Sequence, residues 1–467
     1  MGIEVLELSV LLGDCMRKAE QRDEKRNKSE FAEWFKVCRH FFPDLPKWFN
    51  SISDPRCQPY VTYSQAVLLT MCIMKNVSGT VTMRGMNTAF NEDAAIANLG
   101  FMAEEKELSE MPDWQTVNNY LEKIDNKEIE NIRRKMIFIL LRSKHFDRYK
   151  FMKCWKIILD GTGIAYFKER HCEHDLVTKK TDPGTGKTTL MYYHKVLEAK
   201  IVLAPNVVLS IDTEFIENED ENVSKQDCEL KAAERMMVRI KKAYPRLPIC
   251  ILGDGLYATM PFMKMCRENG WHYILNLKDG RQKTIADDFK ILVETEGYQR
   301  IKQGLCGAEM GQGAFRNHME QVSGKDQPCN VFEYRHKVME KGVEKEVRFV
   351  WVTDMAIKME TLENFIYVGR DRWKIENEGF NNQKNGIYKI EHLCSREPNA
   401  MKAHYLMTQL SDIVMQLYLA FGVILGSIKR PIKSVAQKIG EHFWGLFLTQ
   451  KDVKIISKRT ALRLNTW

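Results

Sequence analysis

The sequence predicts an α/β protein: a helical N-terminal segment, then a mixed sheet interleaved with helices. Three observations predict it. Apolar residues recur at helical spacing up to about residue 150, runs rich in Val, Ile and Tyr follow, and between 151 and 278 strand-like and helix-like segments alternate. With 467 residues, 44% of them hydrophobic, the chain has enough apolar content for two to four domains, each with a core.

In the first 150 residues Ser64 is positioned to cap a helix carrying Val67, Leu68, Met71 and Cys72. Asp113 is positioned to cap another with Val117, Tyr120, Leu121 and Ile124. A third runs through Ile129, Ile132 and 136–141. The first strand is Trp155-Lys156-Ile157-Ile158-Leu159-Asp160, and 191–203 and 207–216 complete an antiparallel meander, with Pro205-Asn206 as the turn signal. A helix over 225–241 carries Leu230, Ala233, Met237 and Ile240 and is stopped by Pro245 and Pro248. The strand Ile249-Cys250-Ile251-Leu252-Gly253-Asp254 comes next, then a helix near 261–268 and a strand over 271–277. Three strands, a helix, a strand, a helix and a strand is the order of a ribonuclease-H-like core. Residues 279–355 read as a β-rich insertion, Gly-rich around 304–313, with strands at 329–338 and 344–353 joined at Lys341-Gly342. Helix resumes near Leu362 and carries Glu376, and Pro398 precedes a long helix from Ala400 to about 425. The expected organisation is a helical domain at 1–150, suited to binding DNA, the first part of the core at 151–278, the insertion at 279–355, completion of the core at 356–428, and a basic tail at 429–467.

Both Asp160 and Asp254 end an apolar run and precede a glycine. Either alone is more often a turn cap than a ligand. As a set with Glu376 they sit on neighbouring strand ends facing a helix, and three carboxylates held close repel one another unless a divalent cation neutralises them. Hard oxygen ligands suit Mg²⁺ or Mn²⁺. Glu378 is a rival third acid; two residues on a helix differ by about 200°, so only one of the pair can face the site.

These residues resemble the DDE transposases of bacterial insertion sequences, in the group whose third motif reads Tyr-x2-Arg-x3-Glu-x6-Lys. The match is Arg372-Trp373-Lys374-Ile375-Glu376, preceded by Tyr367 and Arg370 and followed by Phe380 and Lys384. Gly369 stands where the pattern has Tyr, and Lys384 falls one residue late. The resemblance covers about residues 110–425 and implies that Asp160, Asp254 and Glu376 hold two divalent ions, that Arg370, Arg372 and Lys384 contact DNA phosphates, and that the chain cleaves the element's terminal repeats and transfers the strands into target DNA. A homodimer on double-stranded DNA and a bacterial cytoplasmic, nucleoid-associated location are implied with it. The alternatives are a metal-dependent nuclease of the same core without strand transfer, and a non-catalytic DNA-binding descendant.

The formal charge is +8, with 70 Lys and Arg against 62 Asp and Glu. Nearly all of this excess lies from Lys429 onward, where a polyanion is the expected partner and a solvated helical face is the alternative. Twelve cysteines without a C-x-x-C pair read as reduced thiols. The longest apolar run, 413–426, is short of the roughly 20 residues a bilayer requires. Gly184-Thr185-Gly186-Lys187-Thr188 lacks the first glycine of a phosphate-binding loop and reads as a hairpin turn begun by Asp182-Pro183. His171, Cys172 and His174 have zinc-binding side chains, but no second pair completes a site. Asp212, Glu214, Asp227 and Glu229 read as capping or solvent-exposed acids. Trp351 reads as a buried strand residue, the alternative being a platform for an unpaired base.

Overall fold

The computed structural model describes residues 29–277, 282–296, 299–301, 311–320, 328–340, 342–422, 430–458 and 462–464. The chain divides into two compact units, one made of 1–140 and 385–467 and the other of 141–384.

The first unit is helical. Its N-terminal part comprises α1 (Glu30–Phe41), α2 (Leu45–Asn50), α3 (Gln65–Val77), α4 (Met83–Phe90), α5 (Asp93–Ala103), α6 (Trp114–Leu121) and α7 (Asn126–Arg142). Ser64 and Asp113 cap α3 and α6 as expected, accepting from the amides of Val67 and Gln115. The helices on either side of α3 (α1, α2, α4 and α5) were not expected from the sequence.

The second unit is built on one sheet. Its elements are β1 (Trp155–Phe167), β2 (Leu176–Thr181), β3 (Thr188–Ala204), β4 (Val207–Ile216), α8 (Glu229–Ala243), β5 (Ile249–Gly253), α9 (Met260–Glu268), β6 (His272–Asn276), α10 (Lys283–Glu296), β7 (Gln299–Ile301), β8 (Gly311–Met319), β9 (Cys329–Glu340), β10 (Val343–Thr353), α11 (Met359–Arg370), a π-helical turn (Ile375–Phe380) and α12 (Asn381–Asn385). β1, β3 and β4 form the antiparallel meander, while β5 and β6 add in parallel on the other side of β1. This is a ribonuclease-H-like α/β core. The insertion does not stand apart from it. β10 pairs antiparallel with β6 through Trp351–Asn276, Val352–Leu275 and Thr353–Ile274, and β9, β8 and β7 follow, so one sheet runs through both. Part of the stretch read as β-rich is helical, as α10; the glycines at 304 and 307 lie outside the described residues.

The remaining helices complete the first unit: α13 (Pro398–Phe421), α14 (Ile432–Gly445) and α15 (Gln450–Ser457). α13 begins with Pro398 after the Glu397 cap and is buried along most of its length; Asn76 of α3 donates to the Ser411 hydroxyl at 3.1 Å. No described helix is long and apolar enough to cross a membrane. The basic C-terminal stretch expected as a tail is folded into this unit: Val435, Ala436, Ile439 and Phe443 are buried, and the Phe443 ring meets those of Phe31 and Phe90 edge-on. The described cysteines are free thiols.

Candidate active site

Parallel pairing of β1 with β5 aligns the two aspartates. The last bonded pair is Ile158 with Leu252, and Asp160 and Asp254 each stand two positions further on. Neighbouring strands lie about 4.8 Å apart. Asp254 follows the end of β5 as expected, but Asp160 does not end its strand: β1 continues through it to Phe167, because β3 goes on pairing with β1 beyond that point. Side chains alternate along a strand, so Asp160 shares a face with Ile158. Asp254 turns the chain after β5, its Oδ1 accepting from the Leu256 amide at 2.8 Å.

The same face is covered by the segment that carries Glu376. Ile158, Leu252 and Cys250 pack in one core cluster with Phe365 of α11 and with Ile375 and Phe380 of the π turn. Between them Arg372 is buried, 6% exposed. One of its nitrogens, Nη1, lies 2.7 Å from Glu376 Oε1 and 3.7 Å from Asp160 Oδ2. A single guanidinium thus links the helical glutamate to the first aspartate, and it lies over the Trp373 ring, 4.4 Å from its centroid. Burial raises the Asp160 carboxyl to about 7, Arg372 opposes the rise, and the charges of Glu229 and Glu376 add to it.

Glu378 faces another way. It pairs with Lys374 at 3.3 Å, and Lys374 also lies 3.9 Å from Asp371, which is bonded to Lys156. Burial raises the Glu378 carboxyl, with Lys374 opposing. Two glutamates on one turn therefore belong to two separate ionic clusters.

The irregularities in the third motif have physical causes. A Cβ at Gly369 would lie 2.6 Å from the indole of Trp351, so no tyrosine fits there. Trp351 is 2% exposed and stacked on Phe332 at 5.0 Å, which makes it core and not a base platform. In an α-helix seven residues make about two turns, returning a side chain to the same face. Glu376 lies in a π turn, Ile375–Phe380, whose wider winding takes up one residue more than an α-helix over the same stretch, in step with Lys384 falling one place late. Arg370 is half-buried with its guanidinium over Phe349 at 4.0 Å.

A family model described as the transposase DDE domain matches residues 155–411, from the first aspartate strand through Glu376. The chain belongs to this family. Comparison with curated proteins gives no match. Transposases of this family work with divalent metal ions. Carboxylate oxygens are the donor type such ions prefer, and Arg372 bridges two of the three acids, but Asp160, Asp254 and Glu376 do not form a group whose ligand atoms all lie within 4.8 Å of one another.

One acid beside Asp160 differs from its sequence expectation. Glu229, read as a capping or exposed acid, is the first residue of α8, and its side chain is only 18% exposed. Its carboxylate carbon lies 2.6 Å from where a Cβ at Gly161 would be, it is bonded to Lys195 of β3, and it accepts from the buried Tyr257 hydroxyl at 3.2 Å. The glycine after Asp160 therefore makes room for a fourth carboxylate beside it. Apart from the glycine itself no local pattern signals this, because the contact spans β1, β3, α8 and the turn after β5. The other acids are structural: Asp212 and Glu214 pair with Arg239, and Asp227 pairs with Arg235 at 2.6 Å. Gly184 and Gly186 lie in the hairpin turn between β2 and β3, where Asp182 Oδ1 accepts from the Gly184 and Thr185 amides at 2.9 and 2.8 Å.

Proposed function

We propose that this transposase cuts DNA at the ends of an insertion sequence and joins them to target DNA, with Asp160, Asp254 and Glu376 as ligands for two divalent ions, Mg²⁺ or Mn²⁺. The observation that carries the reading is the matched position of the two aspartates beyond the Ile158–Leu252 pair, with Glu376 tied to Asp160 through Arg372. Bound there, the ions would activate water and then a DNA 3′-hydroxyl, and stabilise the leaving oxygen.

The chain's own groups orient and hold. Arg372 holds the Glu376 carboxylate toward Asp160 and balances its charge. Arg370, Arg372 and Lys384 supply positive charge for phosphates beside the cut. Glu378, engaged with Lys374, stays out of the ion site, so Glu378→Gln is expected to keep cleavage within a few-fold of the parent. A dead Glu378→Gln beside an active Glu376→Gln would move the third ligand to Glu378.

DNA binding is assigned to the helical unit and its basic C-terminal helices, and two ends held together imply a homodimer on DNA. Removing 429–467 would strip Phe443 from a core, so the test is charge reversal at exposed bases. Lys433, Lys451, Lys454 and Lys458 are exposed on α14 and α15 or just beyond. Reversing all four to Glu should weaken binding and flatten its dependence on salt. An unchanged salt slope would remove these helices from the DNA contact.

Strand transfer is tested with duplexes carrying the inverted repeats that flank the reading frame, in Mg²⁺ with a target plasmid. Joined products are expected. Nicks at the repeat ends with no joined product would leave hydrolysis alone.

A further inference from the structure

Among the described residues, the group of His, Cys, Asp and Glu side chains whose ligand atoms all lie within 4.8 Å of one another is not at the aspartate pair. It is His171, Cys172, Asp175 and His194. The first three come from the loop between β1 and β2, and His194 comes from β3, opposite Ala165 in the register. The missing half of the His171–Cys172 pattern is thus supplied from a neighbouring strand. His174, the nearer candidate in sequence, is not a member and meets the Asn218 carbonyl at 2.9 Å.

The geometry points to a structural zinc site, and we propose that His171, Cys172, Asp175 and His194 bind one Zn²⁺ that fastens the β2–β3 hairpin to β1. Asp175 Oδ1 lies 3.0 Å from His194 Nε2 and 3.5 Å from Cys172 Sγ, and Sγ lies 3.8 Å from His194 Nε2. A tetrahedral zinc ion with bonds of about 2.0–2.3 Å has ligand–ligand edges of roughly 3.3–3.7 Å. The three edges among Asp175, Cys172 and His194 are therefore close to those of a tetrahedron, and the His171 ligand atom lies within 4.8 Å of the others. Two imidazoles, a thiolate and one carboxylate suit zinc over a hard ion such as Mg²⁺.

The cluster is also built as a site. The side chains of His194 and Asp175 are 2% and 0% exposed. Asp175 Oδ2 accepts from the amides of His171 and Cys172 at 2.5 and 3.1 Å, which leaves Oδ1 directed at the other ligands. Such outer bonds orient a ligand before the ion arrives. The His171 ring is stacked flat on Phe167 at 4.3 Å, and its Nδ1 is buried with no hydrogen-bond partner. An orphaned buried imidazole nitrogen costs free energy unless it ligates. Asn218 ties the loop to the strand beyond, donating to the Asp175 carbonyl at 2.8 Å. Beyond the cluster the hairpin exposes Lys179, Lys180 and Lys187, so zinc would hold a basic finger at a fixed angle to β1.

The test uses the full chain purified from zinc-supplemented cells. Elemental analysis should give about one zinc per chain, kept in Glu376→Gln and reduced at least tenfold in Cys172→Ser and in His194→Ala. Replacement by Co²⁺ should produce a thiolate charge-transfer band and the intense visible bands of a tetrahedral ion, with the charge-transfer band lost in Cys172→Ser. Extraction of zinc should speed tryptic cleavage at Lys179, Lys180 or Lys187 at least several-fold. Parent protein without stoichiometric zinc and without the cobalt bands would overturn the site even if the variants fail to fold. Zinc retained by Cys172→Ser and His194→Ala, or lost with Glu376→Gln, would place the ion elsewhere.

Discussion

Replacing Asp160 by Asn is expected to lower the rate of DNA cleavage about 10³-fold or more while DNA affinity changes little. The substitution preserves shape and removes the negative charge that faces Arg372 and, in the proposed reaction, a divalent ion. An ion that stabilises transition-state charge contributes several kcal/mol, and each ~1.4 kcal/mol is a factor of ten. Asp254→Asn and Glu376→Gln should lose comparable activity, because ligands acting on shared ions fail as a unit and not in proportion. Single-turnover cleavage of a repeat-end duplex, read beside a mobility-shift assay on the same protein, separates chemistry from binding. A substantial residual rate in any one variant would take that residue out of the ion site.

Trp351→Ala is expected to destabilise the sheet-bearing unit by about 3–5 kcal/mol, the usual cost of deleting a buried aromatic ring. The indole is buried, stacked on Phe332 at 5.0 Å and on Phe349 at 5.8 Å, and shares a core cluster with Phe365 and Ile375. It fills the space that Gly369 leaves open, at the end of the helix leading to Arg372 and Glu376. The reverse change, Gly369→Ala, should cost about 1–3 kcal/mol by overpacking against the same ring. Urea unfolding followed by tryptophan fluorescence and circular dichroism measures both. Unchanged stability in Trp351→Ala would mean that the insertion strands do not support the glutamate segment.

The catalytic half of the fold was legible because its signals are local. The apolar runs before Asp160 and Asp254, the Pro205-Asn206 turn and the prolines after α8 each mark one element, although the first Asp-Gly lies within β1 and does not end it. What was not legible depends on pairing across distance. That β10 would dock on β6 and extend one sheet follows from Trp351 meeting Asn276, which neither strand announces. The role of the basic C-terminal stretch was obscured by its charge: Val435, Ala436, Ile439 and Phe443 form an apolar face at helical spacing, but the lysines around them dominate the composition.

The candidate site divides in the same way. Asp160, Asp254 and Glu376 stand out by motif, and the late Lys384 becomes intelligible through a π turn that no residue preference predicts. Glu229 and His194 were missed because each enters its cluster from an element distant in sequence. A glycine after Asp160 was the one available trace of Glu229, since it admits a neighbour where any side chain would collide.

Asp160, Asp254 and Glu376 are proposed to converge on shared divalent ions. Crystals of the transposase with a repeat-end duplex, grown in Mn²⁺ and measured at the manganese absorption edge, test it most directly. Anomalous peaks ligated by carboxylate oxygens of all three residues are expected, with Arg372 released from Asp160. Peaks held by Glu378 in place of Glu376, or bound manganese that leaves Asp160 or Asp254 unligated in a complex that cleaves its DNA, would contradict it.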